Sequence, residues 1–174
     1  TNIYVGLGSS TNYADVWSAN AASCTRTTGW TKLGGGGTNS SWNTDYEEVT
    51  ALHWYRGELY AGLGASAGDA EVWKWNGSNW GGAAVAGDDL NGSWENLLYD
   101  RVKSMVTYNG SLMVGLGDSA GEAEVWQYDS STWTKIGGDA ARSGWTNVME
   151  RIAALAVYRG KLYAGTGLNV NGEA

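Results

Sequence analysis

Short apolar runs alternate along the chain with polar segments rich in glycine, and one apolar run returns at regular intervals. Residues 3–8 read Ile-Tyr-Val-Gly-Leu-Gly, and close copies of this run occupy residues 59–64, 112–117 and 162–167. The interval is about fifty residues, which is the length typical of one structural unit in a repeat protein. The chain is therefore predicted to be built from a repeat that occurs three times and begins a fourth.

Tryptophans repeat in the same phase as the apolar run. Nine of the eleven tryptophans lie at three positions of the repeat: Trp17, Trp73 and Trp126; Trp30, Trp80 and Trp133; and Trp42, Trp94 and Trp145. Around them the sequence also repeats, as in the Trp-Thr-Lys segments at 30–32 and 133–135. Trp80 marks a degraded middle copy of that segment.

Each repeat is predicted to form four short strands, which we name a to d in chain order. Strand a is expected at 48–55, 101–108 and 151–158, and strand b is the repeated apolar run. Strand c is the Ala-Glu-Val-Trp run, and strand d begins at the Trp-Thr-Lys segment. No helical periodicity separates these runs, which excludes a helical solenoid.

The link between strands a and b carries the sharpest local signal. It reads Tyr-Arg-Gly at 55–57 and 158–160 and Tyr-Asn-Gly at 108–110. Asn-Gly is the preferred pair of a two-residue type I′ turn, because both central residues need a positive φ. Arg-Gly is a weaker version of the same signal. A tight hairpin is therefore predicted in each repeat.

Four antiparallel strands per repeat are typical of one blade of a β-propeller. The predicted fold is all-β, a propeller segment of about three blades that forms an incomplete ring. Residues 1–174 form one segment, with repeats at approximately 3–58, 59–111 and 112–161 and a partial fourth at 162–174.

The order of these segments resembles the kelch repeat. It runs from an apolar strand and an Asn-Gly or Arg-Gly turn to Leu-Tyr-Ala-Gly-Leu-Gly, then Glu-Val-Trp-x-Tyr-Asp and Trp-Thr-Lys-Ile-Gly-Gly. Tyr128 and Trp133 match the tyrosine and tryptophan of the kelch pattern, whereas its glycine doublet is split here into Gly115 and Gly117. The resemblance covers nearly the whole chain and implies a propeller.

The strand inventory from first to last residue is bcd, abcd, abcd and ab. Three repeats do not close a ring, since propellers have about four to eight blades. Two hypotheses follow, a fragment of a longer propeller or a subunit completed by another chain. Open sheet edges favour pairing with other strands, so self-association is expected.

Composition and net charge limit the classes of partner and site that this chain is expected to have. The net charge of −7 and the scattered basic residues argue against a nucleic-acid partner, because phosphate binding needs a basic patch. No apolar run is long enough to span a membrane. Cys24 is the only cysteine, so no internal disulfide forms. The lone His53 has no serine or cysteine partner that would make a catalytic triad.

Trp42, Trp94 and Trp145 are the candidate ligand-binding residues. They lie in loops rich in Ser, Gly and Asn between strands d and a, and loops on a rigid scaffold often carry binding sites. Their rings would stack on a sugar, as in a lectin. The alternative is that they pack between blades, which is also the favoured role of the other repeated tryptophans.

Glu47, Asp100 and Glu150 are the candidate metal-binding residues. They share one phase of the repeat, just before strand a, and would ring one mouth of a propeller channel. Carboxylate oxygens suit a hard cation such as Ca²⁺, although no cofactor is otherwise expected. The alternative is a solvated rim or ion pairs with Arg101 or Arg151.

A second set of carboxylates is predicted to be structural. Asp15, Glu71 and Glu124 occupy one phase, and Asp69 and Glu122 precede the last two by two residues. These side chains are expected to accept backbone N–H bonds and to fix the loop between strands b and c.

The sequence favours a non-catalytic binding module or assembly scaffold, with carbohydrate or protein as ligand. One alternative is a fragment of a propeller enzyme acting on glycans. That needs one asymmetric acid-base site, whereas the carboxylates here follow the repeat. Another alternative is a purely structural repeat unit that oligomerises to close a ring.

Overall fold

The regular secondary structure of the protein is almost entirely β-strand in the residues that the structure describes. The structure, a computed structural model, describes residues 1–24, 28–94, 99–138, 144–145 and 148–167. The helical structure in these ranges is one 3₁₀ turn at Thr38–Ser40. Within the same ranges, no helix has the length and apolar character needed to cross a membrane.

In the described ranges, twelve strands form four antiparallel sheets, one for each copy of the repeat. The first sheet contains β1 (Asn2–Leu7), β2 (Asp15–Asn20) and β3 (Trp30–Gly34), and the second contains β4 (Val49–Tyr55), β5 (Glu58–Leu63) and β6 (Val72–Trp75). The third contains β7 (Val102–Tyr108), β8 (Ser111–Leu116), β9 (Val125–Tyr128) and β10 (Trp133–Gly137), and the fourth contains β11 (Arg151–Tyr158) and β12 (Lys161–Gly167). The all-β prediction is confirmed, and the strands lie where the repeat placed them except at strand d of the second repeat.

The hairpins between strands a and b have the turn that the sequence predicts. Arg56 and Gly57 have φ values of 49° and 82°, and Asn109 and Gly110 have 48° and 78°. Two consecutive positive φ values define the type I′ turn, whose twist matches that of the flanking strands. Arginine therefore adopts the same conformation as asparagine in this link.

The second repeat departs from the prediction at strand d. Its residues 80–86 form no named strand and join the sheet through one bridge between Val72 and Ala86. The Trp-Thr-Lys segment is missing from this copy, and Trp80 stands before Gly81 and Gly82, which both have positive φ. Two glycines in that conformation interrupt an extended strand, so only the end of the segment pairs.

Consecutive sheets pack against each other mainly through strand a. Strand β4 contacts β1 of the preceding sheet and β7 of the following one, and β7 in turn contacts β11. A cluster of buried apolar residues fills each interval, around Trp42, Trp94 and Ile152 respectively. The core of this molecule therefore lies between the repeats.

The glycines of strand b permit this close packing. A Cβ added to Gly6 would lie 2.6 Å from Cγ1 of Val49, and one added to Gly115 would lie 2.6 Å from Cγ2 of Ile152. The same position in the second repeat, Gly62, faces Val102. Each glycine thus receives the first apolar side chain of the next strand a.

We expect Gly62→Ala to destabilise the fold by about 1–3 kcal/mol, because the new methyl group would overlap the buried Val102 side chain. The matched control is Gly165→Ala at the same motif position in β12. There the nearest atom, the carbonyl oxygen of Ala154, is 3.8 Å from the added Cβ. The free energy of unfolding, measured by urea titration, should change by less than about 0.5 kcal/mol in the control. Equal losses in both variants would contradict the packing role.

Candidate functional site

The candidate ligand-binding tryptophans point into the protein. Each donates its indole N–H to the carbonyl oxygen of the alanine that precedes strand c. The distances are 2.6 Å from Trp42 Nε1 to Ala14, 2.9 Å from Trp94 Nε1 to Ala70 and 2.5 Å from Trp145 Nε1 to Ala123. One contact therefore recurs in three repeats and fixes the loop between strands d and a.

Burial argues against a lectin-like role for two of these three rings. Trp42 and Trp94 are each 1 % exposed, so neither has a face free to stack on a sugar. Trp145 is half-buried and lines an open cavity. The hypothesis of sugar stacking does not fit Trp42 and Trp94, because packing between repeats occupies both rings.

The buried rings form tryptophan sets that connect neighbouring repeats. The ring of Trp42 meets those of Trp73 and Trp80, with centroids 5.7 and 5.0 Å apart. Trp94 meets Trp126 and Trp133 in the same way, at 6.2 and 5.6 Å. All four contacts are edge-to-face, an arrangement that favours aromatic pairs.

The strand-d tryptophans also donate hydrogen bonds across the interval. Trp80 Nε1 lies 2.9 Å from the carbonyl oxygen of Leu33, and Trp133 Nε1 lies 3.2 Å from that of Val85. Both acceptors belong to the last segment of the preceding repeat. The sequence predicted packing roles for these tryptophans, but no sequence pattern indicated which carbonyl oxygens accept their hydrogen bonds.

The structure does not gather the candidate metal residues. The backbone carbonyl oxygens of Glu47, Asp100 and Glu150 lie beside Gly8, Gly64 and Gly117 respectively, one in each interval between sheets. In the described ranges, no group of three or more His, Cys, Asp or Glu side chains is arranged to hold a metal ion. These positions serve to bring each strand a against the preceding repeat.

Ion pairs occupy the region where the ring of carboxylates was expected. Arg101 pairs with Glu48 at 2.7 Å and with Asp118 at 3.0 Å, and Asp118 also contacts Lys103 at 3.1 Å. Glu150 lies 3.8 Å from the guanidinium group of Arg151. The contact of Glu150 with Arg151 is one that the alternative hypothesis named, whereas Arg101 pairs with Glu48 and Asp118, which are not among the three candidate residues.

The carboxylates of strand c have different partners from those expected. Asp15 pairs with Lys32 at 2.7 Å, and Glu124 pairs with Lys135 in the same way. The second repeat has Ala84 where the others have lysine, since Val85 and Ala86 occupy the places of Leu33 and Gly34. These carboxylates anchor strand d to strand c instead of binding loop amides.

The loop amides bind the other carboxylates of this set. Glu122 Oε2 accepts the backbone N–H groups of Asp100 and Asp118 at 3.1 and 3.0 Å, and Asp69 accepts that of Ser66 at 3.2 Å. The predicted role in fixing the loop between strands b and c thus belongs to the residues two positions earlier.

Glu71 is the exception among the strand-c carboxylates, since it has no lysine. It accepts the indole N–H of Trp73 at 2.6 Å and a hydrogen bond from the Tyr46 hydroxyl. Burial raises the pKa of Glu71 above its usual range, and the hydrogen bond from Trp73 offsets part of that shift. Burial and the neighbouring Glu71 carboxylate also raise the pKa of Tyr46.

Three of the cavities that open at the surface of the described residues lie where repeats meet or end. The first, of about 230 Å³, lies between the first two repeats and includes Tyr4, Trp54, Gly57 and Trp75 in its lining. The second, of about 320 Å³, is lined by Val5, Leu7, Trp17 and Trp30 on the outer face of the first sheet. The third, of about 330 Å³, lies between the last two repeats beside Trp145, Ile136, Leu162 and Ala164. Together they mark where the repeated packing is interrupted.

Comparison with protein families, with curated proteins and with solved structures finds no match for this chain. Function therefore has to be inferred from the geometry.

We expect Glu71→Gln to change how stability depends on pH. A folded-state pKa above the unfolded value of about 4.5 means that the wild type loses stability as pH rises from that value through the folded pKa. Glutamine keeps an oxygen that accepts the Trp73 N–H and cannot ionise. Urea unfolding should therefore show the variant more stable than the wild type at pH 8, with the difference shrinking towards pH 4.

The matched control for that prediction is Glu124→Gln, which leaves Lys135 without its partner. We expect this variant to lose about 1–3 kcal/mol at neutral pH, because a hydrogen bond to a charged group is broken at a buried site. A loss of the same size in Glu71→Gln at pH 8 would contradict the proposed difference between the two sites.

Proposed function

We propose that this chain is part of a β-propeller with kelch-like repeats and acts as a non-catalytic scaffold that associates with further copies of itself. The observation that carries the proposal is the recurrence of one set of contacts at each interval between sheets. Scaffold proteins built from repeats use such an interface many times.

Several features of the interval support a propeller arrangement. Strands β4, β7 and β11 are neighbours in space as well as in the repeat order, as the inner strands of successive blades would be. The tryptophan hydrogen bonds from strand d to the preceding repeat lie at the opposite edge of the sheets. Contacts at both edges hold neighbouring sheets face to face, which is how propeller blades pack.

A scaffold role also fits the chemistry of the carboxylates. Glycan hydrolysis needs two carboxylates that face one cleft with different protonation states. In the described part of the chain, Glu122 binds loop amides, Glu124 binds Lys135, and Glu71 binds Trp73 and Tyr46. Their partners give these side chains structural roles, so we favour a scaffold over a propeller enzyme.

Carbohydrate binding is the weaker proposal. The repeated aromatic rings that suggested it are in the core at Trp42 and Trp94. A protein ligand made of the same repeat fits better, because the surfaces left open are apolar and match surfaces that are already paired elsewhere in the chain.

The scaffold proposal predicts that the purified chain self-associates. Light scattering across micromolar to millimolar concentrations should give a mass above the 18.5 kDa of one chain. Electron microscopy of the assembled particle should show a ring with a central channel. A constant mass of one chain would contradict the association, and a particle without a channel would contradict the propeller.

A further inference from the structure

Two complete tryptophan sets exist within the chain, and the sequence contains the parts of a third. Each complete set joins a tryptophan before strand a to the strand-c and strand-d tryptophans of the same following sheet. Trp145 is the next tryptophan before a strand a. Trp17 and Trp30 are the strand-c and strand-d tryptophans of the first sheet. The third set is therefore divided between the two ends of the array of sheets.

The two parts of this third set both border open cavities. Trp145 lies against the cavity that Ile136 and Leu162 also line. Trp17 and Trp30 lie against the cavity on the outer face of the first sheet. In the complete sets the corresponding rings fill this space, since Trp94 and Trp133 are 1 % and 6 % exposed.

The exposed apolar side chains of β1 indicate that no neighbouring sheet covers its outer face. Ile3 and Leu7 are 41 % and 48 % exposed, whereas Leu59 and Leu63 at the same positions of β5 are 3 % and 0 % exposed. Residue type is nearly the same in both strands, so the difference comes from what covers them. The preceding sheet covers β5, and nothing in the described ranges covers β1 in that way.

The first cavity lies at the place where the second interval between sheets holds the side chain of a tyrosine. In the second interval the Tyr55 hydroxyl donates to the carbonyl oxygen of Gly110 at 2.9 Å, and its ring meets that of Tyr60 with centroids 5.6 Å apart. The corresponding residues of the first interval are Gly57 and Tyr4, and both line the open cavity. The tyrosine that would end strand a beside β1 is the part that this interval lacks.

Strand β11 carries a tyrosine in the matching position. Tyr108 donates to the Gly160 carbonyl oxygen at 3.2 Å, as Tyr55 does to Gly110, but Tyr158 at the end of β11 is 57 % exposed. Tyr158-Arg159-Gly160 is identical in sequence to Tyr55-Arg56-Gly57. In both, the guanidinium group lies over the tyrosine ring, at 5.1 and 5.4 Å from its centroid.

We propose that two copies of this chain exchange these surfaces, with β11 of each copy pairing with β1 of the other. Tyr158 then enters the cavity at Gly57 of the second copy. Trp17 and Trp30 of that copy pack on Trp145 of the first. This proposal rests on the proposed scaffold function and names the surfaces through which the scaffold associates.

Strands β1 and β12 are both copies of strand b, so they compete for β11. Strand β1 is the better anchored, because Gly6 packs closely on Val49 and Gly8 on the backbone of Glu48. In β12 the added Cβ at Gly165 meets only Ala154 of its own sheet. In the exchange, β1 of the other copy therefore replaces β12 as the partner of β11. The number of strand pairs stays the same. Residues 1–167 of each copy then contribute three complete sheets, so two copies supply six, a number within the usual range for propellers.

A designed disulfide tests the exchange directly. Val157 pairs with Leu162 of β12, and Ile3 occupies the position of Leu162 in β1. The exchange places Ile3 of one copy opposite Val157 of the other, a separation that a disulfide spans. In a Cys24→Ser background, Ile3→Cys with Val157→Cys should give a covalent dimer on a non-reducing gel, whereas each single cysteine should not. A monomer band from the double variant would overturn the exchange.

Dissociation measured by light scattering gives a second test. Trp17→Ser should raise the dissociation constant at least about tenfold, because a central interface tryptophan is lost, while circular dichroism stays that of the wild type. Thr134→Ser is the control, since Thr134 is exposed on β10 and the equivalent Thr31 of β3 stays exposed although the second sheet packs against the first. If the chain associates, but Trp17→Ser leaves the dissociation constant unchanged and the double cysteine variant forms no disulfide, the exchange is overturned and the scaffold function stands. A chain that stays monomeric would overturn both and leave these surfaces to other repeats.

Discussion

The close approach of each strand b to the next strand a is the constraint on which the rest of the structure depends. A side chain larger than hydrogen at Gly6, Gly62 or Gly115 would occupy the space of a valine or isoleucine in the next repeat. Glycine inside a strand weakens that strand by itself, because it loses the most conformational entropy on folding. The loss is offset by burial of the apolar residue that it receives. Each repeat is thus weak alone and depends on its neighbour, which explains why the apolar clusters lie between sheets.

Tryptophan serves this arrangement better than phenylalanine, of which the chain has none. Where sheets meet, carbonyl groups at the ends of strands remain without a partner in the ladder, and a buried carbonyl without a hydrogen bond is unfavourable. The indole N–H groups of Trp42, Trp94 and Trp145 reach such carbonyls at Ala14, Ala70 and Ala123. One side chain therefore fills the space between two sheets and also donates a hydrogen bond to an unpaired carbonyl group. Tryptophan recurs because such a carbonyl recurs in each repeat.

The sequence predicted most of the local structure, because local structure here depends on residues close in the chain. The hairpin at Arg56 and Gly57 and the strands around it follow from turn chemistry and from apolar runs. The failures share one cause. A tryptophan in a loop of Ser and Gly looks exposed until the alanine carbonyl that accepts its N–H is known, and that alanine lies 28 residues away in the case of Trp42. Likewise, Asp15 and Glu71 look equivalent until the lysine on the neighbouring strand is found or is missing.

The free energies of apolar burial and of association indicate how the exposed surfaces of β1 and β11 can be covered. Burial of one large apolar side chain contributes about 1.5–3 kcal/mol, and the association of two chains costs about 4–15 kcal/mol in lost freedom of motion. Ile3, Leu7 and Tyr158 on one contact surface give a sum of the same order as that cost, so one such contact forms a weak complex. A closed ring makes the contact twice for one loss of translational freedom. Under the proposed exchange, residues that would give a weak contact in an open chain of subunits suffice in a reciprocal pair, because two contacts then form for one loss of translational freedom.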